Sequence, residues 1–315
     1  MKTIEVDNIT LLDKLNALSN QIGNTPLFDF SALIPNQKVK LLAKLEWKQL
    51  SGSVKARAAL GIIRSAIEAG ELNESKTLLD ASSGNTGIAY ATIAEQLGLN
   101  FTLILPENAS KKRKEILQSL GTNIIYSSPF EGTDGAQRVA KEIHSENPLK
   151  YYYADQYNNQ SNWRQHFETT APEIWKQTEG QITHFAASLG TTGSFVGVGK
   201  YLKMQSDEVC LVQMQPDSPL HGLEGWKHLE TAKVPGIFDE DLADKNVDVS
   251  SDEALKMIQT IYEKYDLKIS PSSAASLVGA KDVALQIDEG MVVTILADDG
   301  SKYEEVYSEL GIELA

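Results

Sequence analysis

In SGSVKARAAL (residues 51–60) a Ser-Gly-Ser turn leads into a helical pattern, with Lys55 in the first turn. A helix N-terminus disfavours a cation by a few tenths to about 1 kcal/mol. Positive potential beside an amine makes its proton easier to lose, and a neutral lysine is a nucleophile toward an aldehyde. On its own Lys55 reads as a surface lysine. Three turns elsewhere bear on it. In LLDASSGNTGIAYA an apolar run ends near Asp80, and Ser82-Ser83-Gly84-Asn85-Thr86-Gly87 opens a helix. Small hydroxyls, an amide and glycines at a helix N-terminus suit an anion such as a carboxylate, although an ordinary Ser or Asn cap has the same look. In THFAASLGTTGSFVGVG, Gly190-Thr191-Thr192-Gly193-Ser194 joins an apolar run to a helix. It is neither a P-loop nor a dinucleotide fingerprint, so a phosphate there would be held by neutral donors. In VVTILADDGSKY an apolar run ends in Asp298, Asp299 and Gly300. Such carboxylates serve as a base, a metal ligand or the partner of a protonated ring nitrogen, and Asp-Asp-Gly is also good turn chemistry.

Taken together these elements match the needs of pyridoxal 5'-phosphate. That cofactor requires a lysine for its aldehyde, a cup for its phosphate, a group beside its ring nitrogen, and a nearby site for a substrate carboxylate.

The elements that must position these residues read as strand–helix units. Strand candidates are VKLLAKLE, KTLLDAS, FTLILP, TNIIYSS, YYYADQY, ITHFAASL, EVCLVQMQ and MVVTILAD. Helical patterns include LLDKLNALSNQ, AALGIIRSAIEAG, GIAYATIAEQLG, GAQRVAKEIHSE, WRQHFETTAPEIWKQ and DEALKMIQTIYEKY. Alternation of this kind, with several nearly all-apolar strands, predicts an α/β fold of mostly parallel sheets flanked by helices. Ligands in such folds bind outside the carboxyl ends of the strands, where the three turns lie. The 315 residues are enough for two domains.

Composition narrows the partners. A net charge of -14 disfavours nucleic acid and anionic membrane surfaces. The one basic block, KKRK at residues 111–114, follows Ser110 as a predicted N-cap and reads as a solvated helix face. The single cysteine, Cys210, excludes a disulfide framework, disfavours a cysteine metal site and reads as packing in a buried strand; no metal is expected. No apolar run reaches membrane-spanning length and MKTIEVDNIT has no signal-peptide pattern, so a cytoplasmic location is expected.

IGNTPL (residues 22–27), SGSVKAR (51–57), SSGNTG (82–87), PEIW (172–175) and GTTGS (190–194) occur in the order and spacing of one family. The sequence resembles the cysteine synthases, O-acetylserine or O-phosphoserine sulfhydrylases of the fold-type II, tryptophan synthase β-like, pyridoxal-phosphate enzymes. LADDGSKY is more similar to the cysteine synthase B branch. The likeness covers almost the whole chain. It implies two domains with the cofactor in the cleft between them: a larger one from residues 1–42 and 152–315, and a smaller mobile one from 43–151. Lys55 would form the Schiff base. Asn85 would contact the ring hydroxyl, residues Gly190, Thr191, Thr192, Gly193 and Ser194 the phosphate, and Asp298 the ring nitrogen. Ser82, Ser83, Gly84, Thr86 and Gln156 would bind the substrate carboxylate.

The implied reaction is a β-replacement on an O-activated L-serine, with Lys55 also the general base. Sulfide would add to an α-aminoacrylate to give L-cysteine. In QPDSPLHGLEGWKHLE, Lys227 is the candidate for meeting a donor phosphate, against the plainer reading of a surface loop. The family would make the protein a homodimer; a serine acetyltransferase partner is compatible with it but indicated by no motif. Departures are Ala56, where relatives carry Asp, and Ala274 in SPSSAAS, where glycine is common and a methyl would stand near the cofactor ring. Rival readings keep the cofactor but use homocysteine, as in cystathionine β-synthases (a regulatory domain beyond Ala315 is not expected), or eliminate to pyruvate. Others make the chain a pseudoenzyme serving a protein partner, or a nucleotide-phosphate binder.

Overall fold

The structure is a computed structural model and describes residues 10–82 and 84–312. In chain order it contains α1 (Leu11–Ser19), β1 (Leu27–Asp29), β2 (Val39–Leu45), α2 (Lys55–Glu68), β3 (Thr77–Ala81), α3 (Asn85–Leu97), β4 (Phe101–Pro106), α4 (Lys111–Ser119), β5 (Asn123–Ser127), α5 (Gly132–Glu146), β6 (Tyr151–Tyr153) and α6 (Gln160–Gln165). A π-helical turn (His166–Thr170) leads into α7 (Ala171–Gln177), β7 (His184–Ser188), α8 (Gly193–Gln205), β8 (Cys210–Pro216), β9 (Lys245–Val249), α9 (Ser251–Tyr265), α10 (Pro271–Leu285), β10 (Gly290–Leu296) and α11 (Glu304–Glu309).

Two sheets organise them. The larger has the order β1-β2-β10-β7-β8-β9, parallel except where β1 meets β2; the smaller is β5-β4-β3-β6, parallel throughout. Successive residues of β10 point to opposite faces. Val292 and Leu296 enter one apolar cluster, while Met291, Val293 and Ile295 enter another. β3 and β4 divide likewise, Leu78 and Leu103 on one side, Leu79 and Ile104 on the other. Helices cover both faces, which is why these strands are continuous apolar runs.

The expected domain boundaries at 42/43 and 151/152 lie within β2 and β6. β2 lies wholly in the larger sheet, with Ala43 opposite Thr294, and β6 lies in the smaller one, with Tyr152 and Tyr153 beside Leu78 and Leu79. Helix α1 packs Leu15 and Leu18 into the cluster under α2 and α3, beside the smaller sheet. An apolar parallel strand does not reveal in its own residues which sheet it joins. YYYADQY yields only a three-residue strand, because Asp155 turns the chain at φ 44. Cys210 is only half-buried, at the first position of β8. In the KKRK block Ser110 does cap α4, accepting from the Arg113 N–H at 3.4 Å. Lys111 and Lys112 are exposed, but Arg113 turns inward and is buried.

Candidate active site

Four strand ends and one helix start converge on a single cleft. Helix α2 begins at Lys55 because Ser51 and Gly52 both take left-handed φ values, 62 and 64; at Gly52 the absence of a Cβ makes that inexpensive. The turn is tied to the end of β10. The Val54 N–H donates to the Ala297 carbonyl at 2.8 Å, and Ser53 and Asp298 form an antiparallel bridge. Lys55 and the Asp298 carboxylate are thereby brought into one neighbourhood. Burial pulls the Lys55 ammonium below its ordinary range, and the Asp298 charge opposes it. The leading cause is thus loss of water, rather than the helix end expected from sequence.

The loop after β3 opens α3. Ser82 Oγ accepts from the Gly84 N–H at 3.1 Å. Thr86 donates to Gln156 Oε1 at 2.8 Å, and Gln156 Nε2 donates back to the Ala81 carbonyl at 3.2 Å. This fixes Gln156, from beyond β6, against the loop. Asn85 Nδ2 donates to Asp298 Oδ2 at 2.8 Å, and the Tyr303 hydroxyl donates to the same oxygen at 3.0 Å. The 190–194 loop opens α8 through Thr192, at φ 71. A methyl at Gly190 would strike the Gly225 carbonyl, and one at Gly193 the Asn162 side chain. Asn162 Nδ2 donates to Thr191 Oγ1 at 3.1 Å and to the Gln156 carbonyl at 2.7 Å, joining the two loops.

Lys55, Ser82, Gly84, Asn85, Thr86, Gln156, Gly190, Thr191, Thr192 and Ser194 all line one cavity. Gly193 lies within the same loop, Asp298 is fully buried behind Asn85, and Ser83 lies outside the described residues. Lys227 is not brought to this cavity. It lines an adjoining one, ion-paired to Asp134 at 3.0 Å and over the Tyr157 ring at 5.2 Å. Ala274 does not reach the cavity either; its methyl is buried in an apolar cluster, and Ser272 is the α10 residue that lines the wall. Ala56 is fully buried in the apolar cluster that holds α1 and α3 side chains.

Asn85 Oδ1, Thr192 Oγ1 and Asp298 Oδ1 are buried without hydrogen-bond partners. A buried polar atom left unpaired costs about 1–3 kcal/mol. Unpaired atoms at the amide, at the threonine of the 190–194 loop and at the acid fit the ring and phosphate of pyridoxal phosphate. When bound, that group supplies the electron sink that stabilises negative charge at a donor's Cα.

Sequence reading missed what holds Lys55 in place. Arg57, two residues on, is completely buried; its Nε meets Glu46 Oε2 at 2.6 Å and its Nη1 meets Glu173 Oε1 at 2.8 Å. Lys44 Nζ reaches Glu173 Oε2 at 2.6 Å, and the Thr25 hydroxyl donates to Glu46 at 2.7 Å. Burial would raise the Glu173 carboxyl, but its hydrogen bonds to Arg57 and the Lys44 charge hold it down to about 2. IGNTPL supplies Thr25 and PEIW supplies Glu173, so both motifs brace the start of α2. Glu224, Trp226, Thr133 and Tyr157 also line the cavity without having been singled out; their positions carried no spacing signal.

The family model for pyridoxal-phosphate dependent enzymes matches residues 18–298. A cysteine synthase of Aquifex aeolicus is 40% identical over 289 residues, covering 90% of this chain and 88% of the relative. The chain belongs to the cysteine synthase family of pyridoxal-phosphate-dependent enzymes. Cysteine synthase B of Escherichia coli is 36% identical, covering 92% of this chain and 94% of its own. Among solved structures, the O-acetylserine dependent cystathionine beta-synthase from Helicobacter pylori superposes with a TM-score of 0.85 at 28% identity, covering 97% of this chain and 98% of that one. The cysteine synthase fold, cofactor and β-replacement chemistry are therefore those of this chain. Among the described residues no helix is long and apolar enough to cross a membrane.

Proposed function

We propose that the chain makes L-cysteine from O-acetyl-L-serine and sulfide. One observation carries the choice of donor. Among the described residues lining the cavity, Lys55 is the sole cationic side chain and Glu224 the sole anionic one. With Lys55 reserved for holding the cofactor and for the donor's α-proton, no lining cation would remain for a phosphate on the donor's side chain. Lys227, the residue expected to meet a donor phosphate, lines the adjoining cavity and is paired with Asp134. An acetyl group needs no counter-charge.

In this reading burial keeps Lys55 Nζ neutral enough to take the α-proton. The 82–86 loop and Gln156 would receive the donor's carboxylate, the 190–194 loop would hold the cofactor's phosphate, and Asp298 would stand at its ring nitrogen. The protein works in the cytoplasm as a homodimer, a reading supported by its family. Steady-state comparison of donors tests the proposal. A charge-assisted contact is worth about 1.5–3 kcal/mol, so kcat/KM for O-acetylserine is expected to exceed that for O-phosphoserine by at least about tenfold. Lys227→Ala is expected to leave the ratio unchanged. Equal donors, or a ratio that moves with Lys227→Ala, would contradict it.

A second nucleophile has one observation in its favour. The adjoining cavity shares Thr133, Tyr157, Gly225 and Trp226 with the central one, which gives a longer thiol room beyond sulfide. Product analysis with homocysteine in place of sulfide decides it, cystathionine being the result that supports the larger nucleophile.

A further inference from the structure

The wall above the carboxylate loop holds an ion pair that the reaction as described does not use. Arg113, on α4, is 6% exposed, and its Nη2 pairs with Glu224 Oε2, from the loop after β8. The guanidinium lies over the Tyr303 ring, 5.3 Å from its centroid, and the Tyr303 hydroxyl is bonded to Asp298. Glu224 crowds Gly84 and Arg113 lies in ordinary contact distance of it. A Cβ at that glycine would lie 3.0 Å from Glu224 Oε1 and 3.7 Å from Arg113 Nε. Arg113 Nε is itself buried with no hydrogen-bond partner. A buried guanidinium N–H without an acceptor is costly, and the neighbouring Gly84 belongs to the loop that takes a carboxylate in the reading above.

We propose that Arg113 is a ligand of the donor's α-carboxylate, and that Glu224 is a resident anion which the donor displaces. This rests on the 82–86 loop receiving that carboxylate. Glu224 lines the cavity and Arg113 stands behind it, so the protein without donor presents a carboxylate at the Gly84 edge. A second carboxylate there meets repulsion from Glu224 and attraction from Arg113. A guanidinium has five donors in a planar fork, and as Glu224 turns away its place at Arg113 passes to the incoming carboxylate. The pair joins α4, beside the smaller sheet, to a loop of the larger one, so the exchange also resets a contact across the cleft.

Acetate is the probe, titrated calorimetrically into the cofactor-loaded protein. Glu224→Gln is expected to tighten acetate binding at least fivefold, and Arg113→Met to weaken it at least tenfold. In the Arg113→Met background Glu224→Gln is expected to tighten acetate binding by less than it does alone, because only the loss of repulsion remains. If Glu224→Gln does not fold, Glu224→Ala gives the same comparison. Binding no tighter without the Glu224 charge overturns the proposal, as does binding within twofold of wild type in Arg113→Met. Acetate binding does not depend on which donor is used. A protein showing this pattern while making no cysteine from O-acetylserine would retain the exchange and lose the donor assignment.

Discussion

That Lys55 shares a cavity with the two glycine loops was legible only from their combination, since each has an ordinary reading on its own. The environment of Lys55 was not legible, because it comes from Asp298, 243 positions away, and from burial, neither of which leaves a local pattern. Lys55→Ala is expected to abolish cysteine formation and the visible band of lysine-bound cofactor together. Borohydride reduction and peptide mapping of the wild-type protein should place the label on Lys55 alone. A second residue governs pH behaviour. Asp80, at the end of β3, is pushed up to about 8 by burial, partly opposed by the Ala81 N–H it accepts. A folded-state value above the unfolded 3.8 means that the folded protein binds the extra proton between those limits. The stability tied to that proton is full below pH 3.8 and is lost as pH rises through about 8. Asp80→Asn keeps the acceptor oxygen and removes the titration. Its urea midpoint is expected to exceed that of wild type increasingly from pH 4 to 8; a constant difference would count against this assignment.

At the scale of elements, α2 presents Lys55, the proposed catalytic lysine, at its first residue and is anchored by Arg57 one half-turn later. Removing one partner of a buried ion pair leaves an uncompensated charge and typically costs about 3–5 kcal/mol. Glu46→Gln is therefore expected to lower stability by about 3 kcal/mol in urea denaturation and to raise KM for the cofactor, since the start of α2 loses its brace. A change below about 0.5 kcal/mol would show the network to be incidental. Elements with one apolar face or a continuous apolar run were readable from sequence. β9 was not, because this edge strand is mostly exposed and its KNVDV carries two charges. Nor was α10, which is buried on nearly every side and so lacks the polar stripe that marks a helix. WRQHFETTAPEIWKQ has helical periodicity but is broken by a π-helical turn. There His166 Nδ1 lies 2.9 Å from Thr170 Oγ1, a tertiary detail no periodicity encodes.

For the whole molecule, two mostly parallel sheets place their carboxyl ends against one cleft, and a chain with net charge -14 keeps one cation and one anion among the described residues of the cavity lining. The alternation of strands and helices foretold the two-sheet architecture. The allocation of β2 and β6 to their sheets depends on strand order, which emerges only when helices cover both faces. The visible spectrum of the cofactor-loaded protein tests the central claim most directly. O-acetyl-L-serine is expected to shift the band of lysine-bound cofactor, and sulfide to restore it with release of cysteine, while O-phospho-L-serine at the same concentration moves it little. A band unmoved by O-acetylserine, or moved equally by both donors, would contradict the assignment.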